Sequence, residues 1–341
     1  MISSTVCWTQ GLAMTDPKTL KVEPTPLHPQ EIPTASGESS TPQQLTDGGA
    51  AAPGRSLTQD AWRQLRRRPL FWMAASVILI FLLMAIAPQL FTRVDPTYGQ
   101  LARSNNPPGD QGAIFGFDRL GRDTFARCVY GARASLMVGL LTTIATSVVG
   151  GTLGMIAGFY GGWLDSLLSR LTDMVFAIPM LLGGILFMTT WPSRPGDSYL
   201  LIVVKVVFVL MIFGWPAITR LMRSSVIQVK QNEYVLAAKA LGASPWRIII
   251  RHILPNSLAP VIVVATINLG AYIAAEATLS FLGIGLREPA ISWGSAINES
   301  LDYIYQAPYG LLFPSLFLSL CVLAFMTLGD VVRDAFDPKQ R

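Results

Sequence analysis

The sequence predicts an all-α protein that crosses a membrane six times. Three observations carry this. Hydrophobic residues make up 51% of the 341 residues and charged residues only 14%, whereas soluble domains hold about 25% charged residues. Six apolar runs are spaced along the chain, each near the ~20 residues that a bilayer core requires. A basic cluster, Arg63-Gln64-Leu65-Arg66-Arg67-Arg68, abuts the first run. That is the positive-inside signal, and it places the N-terminal side in the cytoplasm.

Taken in order, residues 1–60 are rich in Pro, Thr, Ser, Gln and Gly and lack periodicity. They are expected to form a disordered tail. Residues 1–20 have no apolar core, so no cleavable signal peptide is expected, and Met14 offers an alternative start. Residues 61–92 read as a basic segment and a first span, Leu70 to Phe91. Residues 93–133 read as an extracytoplasmic segment, and 134–329 as a core of five spans near 134–160, 171–190, 199–221, 257–283 and 309–329. Residues 330–341 are then a cytoplasmic tail.

An even count of spans puts the loop between the fourth and fifth inside. That loop carries Arg220, Arg223, Lys230, Lys239, Arg247 and Arg251 against Glu233 alone. The connection between the fifth and sixth carries Arg287 against Glu288, Glu299 and Asp302. Both agree with the charge rule. The 92–133 segment does not, since it holds six arginines, although four aspartates offset them.

Within the spans, Gly150, Gly154, Gly158 and Gly162 recur every fourth residue. Small residues at that spacing line one face and admit close helix packing, either within this chain or with a second subunit. Pro179 and Pro216 are candidate kinks. Lys205 and Glu276 are ionisable residues inside spans, which is costly and therefore informative. Three placements are open for them: lining an outer vestibule, pairing with each other, or reaching the interface. Asn268, nearer the middle of the fifth span, either faces a pathway or bonds another helix.

The loop between spans four and five has its own grammar. Glu233 to Leu241 consists of good helix formers, and Gly242 is a natural stop. Ser244 can cap a second helix with Pro245 at its first position. Ile248, Ile249 and His252 are expected on one side near Trp246, with Arg247 and Arg251 on another. Pro255 is expected to end that helix.

Other chemistry has little support. Cys7, Cys128 and Cys321 are scattered, so neither a disulfide framework nor a metal site is expected. No P-loop and no G-x-S-x-G occurs, and the two histidines are His28 and His252. No catalytic residue, metal or cofactor is expected in this chain. The net charge of +5 suits anionic lipid better than nucleic acid.

The loop resembles that of the inner-membrane permease subunits of ABC importers, whose pattern is EAA, three residues, Gly, nine residues, Ile-x-Leu-Pro. Ala237, Ala238, Gly242, Leu254 and Pro255 match, while Leu236 stands for the Glu and His252 for the Ile. The run "AAKALGAS…RHILPN" is similar to the dipeptide, oligopeptide and nickel branch. Phe115 to Asp123 resembles its "LGTDxLGRD", with Phe117 in place of Thr. "LSFLGIG…P…SWG" and the ending Gly329 to Pro338 also resemble that branch. The likeness covers about residues 60–341.

The resemblance implies the type I ABC importer permease class, with six spans and a cytoplasmic coupling-helix loop at 228–256. It implies that Ala237, Ala238, Gly242, Ser244, Pro245, Trp246, Arg247, Ile249, Arg251, Leu254 and Pro255 form the ATPase-coupling surface. Implied partners are a second homologous permease, two ABC ATPase subunits holding ATP and Mg²⁺, and an extracytoplasmic binding protein, all at a bacterial cytoplasmic membrane. Dipeptides or oligopeptides are the implied cargo, with nickel chelates, glutathione and haem as alternatives. An ion-coupled secondary transporter is the rival from another class. It would need inverted repeats and a charged relay near the midplane. A purely structural scaffold leaves the coupling pattern unexplained.

Because residues 1–60 cannot bury enough apolar surface to fold, deleting residues 1–55 is expected to leave assembly and uptake near normal. Loss of assembly after this deletion would contradict the reading.

Overall fold

A computed structural model of the protein describes residues 62–194 and 196–336. The expected tail lies outside the described residues. The described chain is helical, with two isolated antiparallel bridges, Gly99 to Arg122 and Phe117 to Asp123. Five helices are long and apolar enough to span a bilayer. They are α1 (Pro69–Ile86), α2 (Thr124–Tyr160), α5 (Tyr199–Lys230), the continuous helix Pro245–Phe281, and α10 (Tyr309–Phe336). A helix can do this because it satisfies its own backbone N–H and C=O groups where lipid cannot.

The span expected at 171–190 is broken. It consists of α3 (Gly162–Phe176) and α4 (Met180–Thr190), bent by 80°. Pro179 is the cause. It has no N–H to continue the ladder and disfavours helical backbone at Ile178. Pro179 instead takes extended backbone and offers its carbonyl to Gly183 N at 2.9 Å, opening α4. Pro216, by contrast, sits inside an uninterrupted α5. Counting the bent pair as one crossing makes six.

Other boundaries also shift. The first helix stops at Ile86, and Pro88–Leu90 form a short 3₁₀ turn. The second begins at Thr124 rather than near 134, because the Asp123 side chain accepts Ala126 N at 2.9 Å and caps it. The fourth and sixth run on to Lys230 and Phe336. The helix containing Pro255 does not end there. It passes from α7 (Pro245–Ile248) through a π turn, Ile249–Ile253, into α8 (Leu254–Phe281). Leu254 N reaches back to Ile249 O, so the ladder is already wide when Pro255 arrives without an N–H.

The glycines in α2 decide the packing. A Cβ at Gly150 would lie 2.6 Å from Trp215 O, at Gly154 2.5 Å from Thr219 O, and at Gly158 2.8 Å from Val226 Cβ. All three meet α5 of the same chain, and Thr219 Oγ1 donates to Gly150 O across the seam at 3.1 Å. Gly162 does not belong to this stripe. It opens α3 after a turn at Gly161, with φ +61° and open space around it.

The two ends of the bundle are closed separately. Near one end, Trp293 at the start of α9 (Trp293–Ser300) is fully buried against Ile273 and Phe81. Its Nε1 donates to Cys128 O at 2.8 Å. At the other, Arg223 pairs with Asp165, and Lys230 Nζ donates to Phe159 O at 2.5 Å. Leu65 packs with Val331 and Ala335, and Arg68 Nη1 bonds Asp334 at 2.7 Å. The start of the described chain is thus fastened to the last helix.

Gly154→Ala is expected to overpack the α2–α5 seam and cost about 1–3 kcal/mol, read as a lower melting temperature of the purified protein. Gly151→Ala is the control, since a Cβ there meets nothing within 4 Å. Equal melting of the two variants would mean that the seam is not close-packed.

Candidate functional site

The polar loop between α5 and α8 forms a compact helix–turn–helix. Its first helix, α6 (Glu233–Ala240), ends in a two-bond lock: Ala243 N to Ala238 O at 3.1 Å and Gly242 N to Lys239 O at 3.0 Å. That pairing requires left-handed backbone at the residue between, and Gly242 has φ +78°. Ser244 then caps α7, its Oγ accepting Arg247 N, with Pro245 in the first turn.

One side of this unit is glued to the bundle. Val235, Ile248, Ile249 and Ile253 are buried with Met155, Met222 and Val226. Ile249, expected on the exposed surface, is buried with these residues and also edges the apolar groove beside α8. The other side is open. Leu241 is 88% and Trp246 71% exposed, and Ala237, Arg247, Arg251 and Pro255 are exposed as well. Ala238 and Leu254 are partly buried. Between the two helices lies a hollow of about 450 Å³ lined by Tyr234, Ala237, Ala238, Leu241, Arg247 and His252. The small side chains of Ala237 and Ala238 leave this room. Among the described residues neither Arg247 nor Arg251 has an ion-pair partner. Exposed apolar knobs beside unpaired cations are the composition of a surface that meets something else.

This surface is rigidly joined to a span. Pro245–Phe281 is one helix of 37 residues, roughly 55 Å long at 1.5 Å per residue. A displacement at Trp246 is therefore carried along α8. Beside it, α2, α3 and α8 flank an apolar groove of about 730 Å³, whose walls include Val148, Met155, Tyr160, Trp246, Ile250 and Ile262.

The ionisable residues proposed inside spans are not brought together. Lys205 is buried, but its Nζ bonds Asp197 Oδ2 at 2.7 Å and Pro192 O at 3.3 Å and lies 5.5 Å from the Trp191 ring centre. It fastens α5 to the connection after α4. Asp197 is held below the usual carboxylate range, first by that hydrogen bond and then by Arg194 N. Glu276 is fully buried, and the two residues do not pair with each other. Asn268 is half-buried near the middle of α8.

A second constellation was only half legible. The Phe115 to Asp123 run reads as a turn held by ion pairs, and Arg122 does bond Asp118 at 2.7 Å. Its other partners come from far along the chain. Arg122 Nη1 meets Glu288 at 2.5 Å, and its Nη2 meets Glu299. Arg127 adds Glu299 at 3.1 Å. Both arginines are nearly inaccessible. Burial works against the Arg122 charge, yet Asp118 and Glu299 together raise its pKa. No spacing in the sequence points from 122 to 288 or 299.

The described residues thus define a multi-pass α-helical membrane protein that presents an exposed helix–turn–helix on the end of a continuous span. The chain belongs to the family of binding-protein-dependent transport system inner membrane components, whose profile matches residues 150–341. Residues 56–108 match the N-terminal transmembrane domain of oligopeptide transport permease C. The chain is 39% identical to the dipeptide transport system permease protein DppC of Alkalihalophilus pseudofirmus, over 91% of its own length and 97% of that protein. It is 35% identical to the oligopeptide transport system permease protein OppC of Bacillus subtilis, over 84% and 91%. It is 36% identical to the glutathione transport system permease protein GsiD of Pectobacterium atrosepticum, over 84% and 92%.

Arg122→Ala would leave Asp118, Glu288 and Glu299 with Arg127 alone, at 3.1 to 3.7 Å. It is expected to destabilise the protein by about 3–5 kcal/mol, seen as a large fall in melting temperature. Arg122→Lys keeps the charge but loses the planar fork, and should fall between. An unchanged melting temperature for Arg122→Ala would show that the network is not structural.

Proposed function

We propose that this permease subunit forms one half of a pathway that admits dipeptides or oligopeptides, driven by ATP hydrolysed in partner subunits. The observation that carries the mechanism is the exposed Leu241–Trp246–Arg247 surface fused to α8. An ATPase groove with apolar walls and an acidic rim would complement it. Closing two ATPases on ATP and Mg²⁺ would draw two such surfaces together, one on this chain and one on a homologous permease. Because α7 and α8 are one helix, that motion would tilt the span and open the cavity to the opposite side. This chain would supply the lever and part of the wall, and the ATPases would supply the chemistry.

The second permease is placed on the α2–α3–α8 face, where the 730 Å³ apolar groove would otherwise be left without a protein partner. The loop with Arg247 and Arg251 faces the cytoplasm on this reading, together with Arg63, Arg66 and Arg67 beside α1. The Asp118–Arg122–Glu299 end faces outward and receives an extracytoplasmic binding protein. Short peptides are favoured as cargo by the likeness to dipeptide and oligopeptide permeases. Glutathione is itself a short peptide, so the likeness to GsiD favours the same class of cargo.

Gly242→Pro tests the coupling. Proline is fixed near φ −65°, whereas this position needs φ +78°, and it lies in open space away from the core. Membrane insertion and pairing with the second permease should persist. Uptake of labelled alanine dipeptide and tripeptide should fall by about an order of magnitude, with peptide-stimulated ATP hydrolysis falling in parallel. Normal uptake by this variant would remove the loop from the mechanism. Photo-crosslinks from position 246 that reach lipid and never an ATPase would do the same.

A further inference from the structure

Glu276 is a carboxyl group that neither the coupling surface nor the charge networks use. It sits in the last turns of α8 with no solvent exposure. Its Oε1 accepts the Ser280 hydroxyl at 2.7 Å, and Ser280 in turn accepts Leu286 N at 2.9 Å. The hydroxyls of Ser135 on α2 and Ser292 at the cap of α9 face the same carboxyl. Yet Glu276 Oε2, Ser135 Oγ and Tyr199 Oη all lack a hydrogen-bond partner. The first two of these buried atoms share one junction and can be satisfied together.

The surrounding charges do not provide it. Lys205 on α5 is taken by Asp197. Arg122 and Arg127 are taken by Asp118, Glu288 and Glu299. Arg287 is exposed and bonded to Gly283 O, and Arg133 on α2 is exposed beside Tyr199. The titratable group that faces Glu276 directly is the neutral Tyr199 phenol. No ion pair to Glu276 forms among the described residues. An ionised carboxylate here would be a fully buried anion within a membrane span, with hydroxyls but no cation beside it.

A proton resolves the site. A neutral carboxylic acid has one O–H donor and keeps acceptor capacity on the other oxygen. Oε2–H then finds an acceptor in the unpartnered Ser135 Oγ, while Oε1 keeps Ser280. We propose that Glu276 is a buried proton-binding site, occupied in the resting protein, whose neutral acid joins α2, α8 and the cap of α9. The position gives this a consequence. Glu276 lies at the far end of the Pro245–Phe281 lever, directly before Ala277, whose carbonyl would lie 2.4 Å from a Cβ placed on Gly294 of α9. The clamp makes the end of the lever and α9 move together, and α9 carries Glu299 of the Arg122 network.

The test uses the complex purified through the full chain and does not depend on the cargo. Infrared spectra with isotope-labelled glutamate should show a protonated-carboxyl C=O band at neutral pH. That band should be absent from Glu276→Gln, which is isosteric with the neutral acid. Glu276→Gln should also assemble and hydrolyse ATP within about two-fold of the unaltered chain. Glu276→Ala, which removes both oxygens, should lose most of the assembled complex. The proposal is overturned if no such band exists at neutral pH, if the band belongs to another residue, or if Glu276→Gln fails to assemble as Glu276→Ala does. The spectrum of the unaltered chain decides the protonation state even where a variant does not fold.

Discussion

The close approach of α2 and α5 along Gly150, Gly154 and Gly158 is the contact on which the remaining structure depends. Within lipid there is no hydrophobic drive for helices to meet, so association rests on dispersion and hydrogen bonds at short range. Three missing side chains let two backbones come close enough for Thr219 to bond Gly150 O. With that seam set, Phe159 O is brought to Lys230 and Asp165 to Arg223. The floor that receives Val235, Ile248 and Ile253 is built from Met155, Met222 and Val226 of the same two helices. The exposed loop surface is thus positioned by a packing contact well inside the bundle.

The charges divide into two populations. Asp118, Arg122, Arg127, Lys205 and Asp197 are satisfied inside the chain. Their burial makes each costly to leave alone, so they hold segments together rather than meet ligands. Arg247 and Arg251 are exposed, without internal partners, and set beside Trp246 and Leu241. Buried, partnered charge braces the fold, and exposed, unpartnered charge is offered beside the apolar side chains of the loop. The break at Pro179 belongs to the same economy of rigid parts: a bent pair stands where the other crossings are straight, while the lever through the π turn at 249–253 stays continuous.

The sequence by itself determined the fold class and the identity of the loop. Long unbroken apolar runs become helices in lipid because a helix satisfies its own backbone within one segment, and Gly242, Ser244 and Pro245 each demand a particular local conformation that the chain adopts. The spacing of Gly150, Gly154 and Gly158 announced a packing face. Only the tertiary structure decided which helix fills it, because a stripe of small residues is the same for any partner. It also decided that Gly162 serves a turn, that Ile249 faces inward, and that Pro255 rides within a helix instead of ending one. The last two depend on a helix phase that the π turn at 249–253 shifts and that periodicity does not register. The partners of Arg122, and the isolation of Glu276 among three serines, were equally out of reach. Both arise from residues far apart in the chain that meet only when α9 folds back over α2 and α8, and the energy of a buried charge is set by what surrounds it in space, not by its neighbours in sequence.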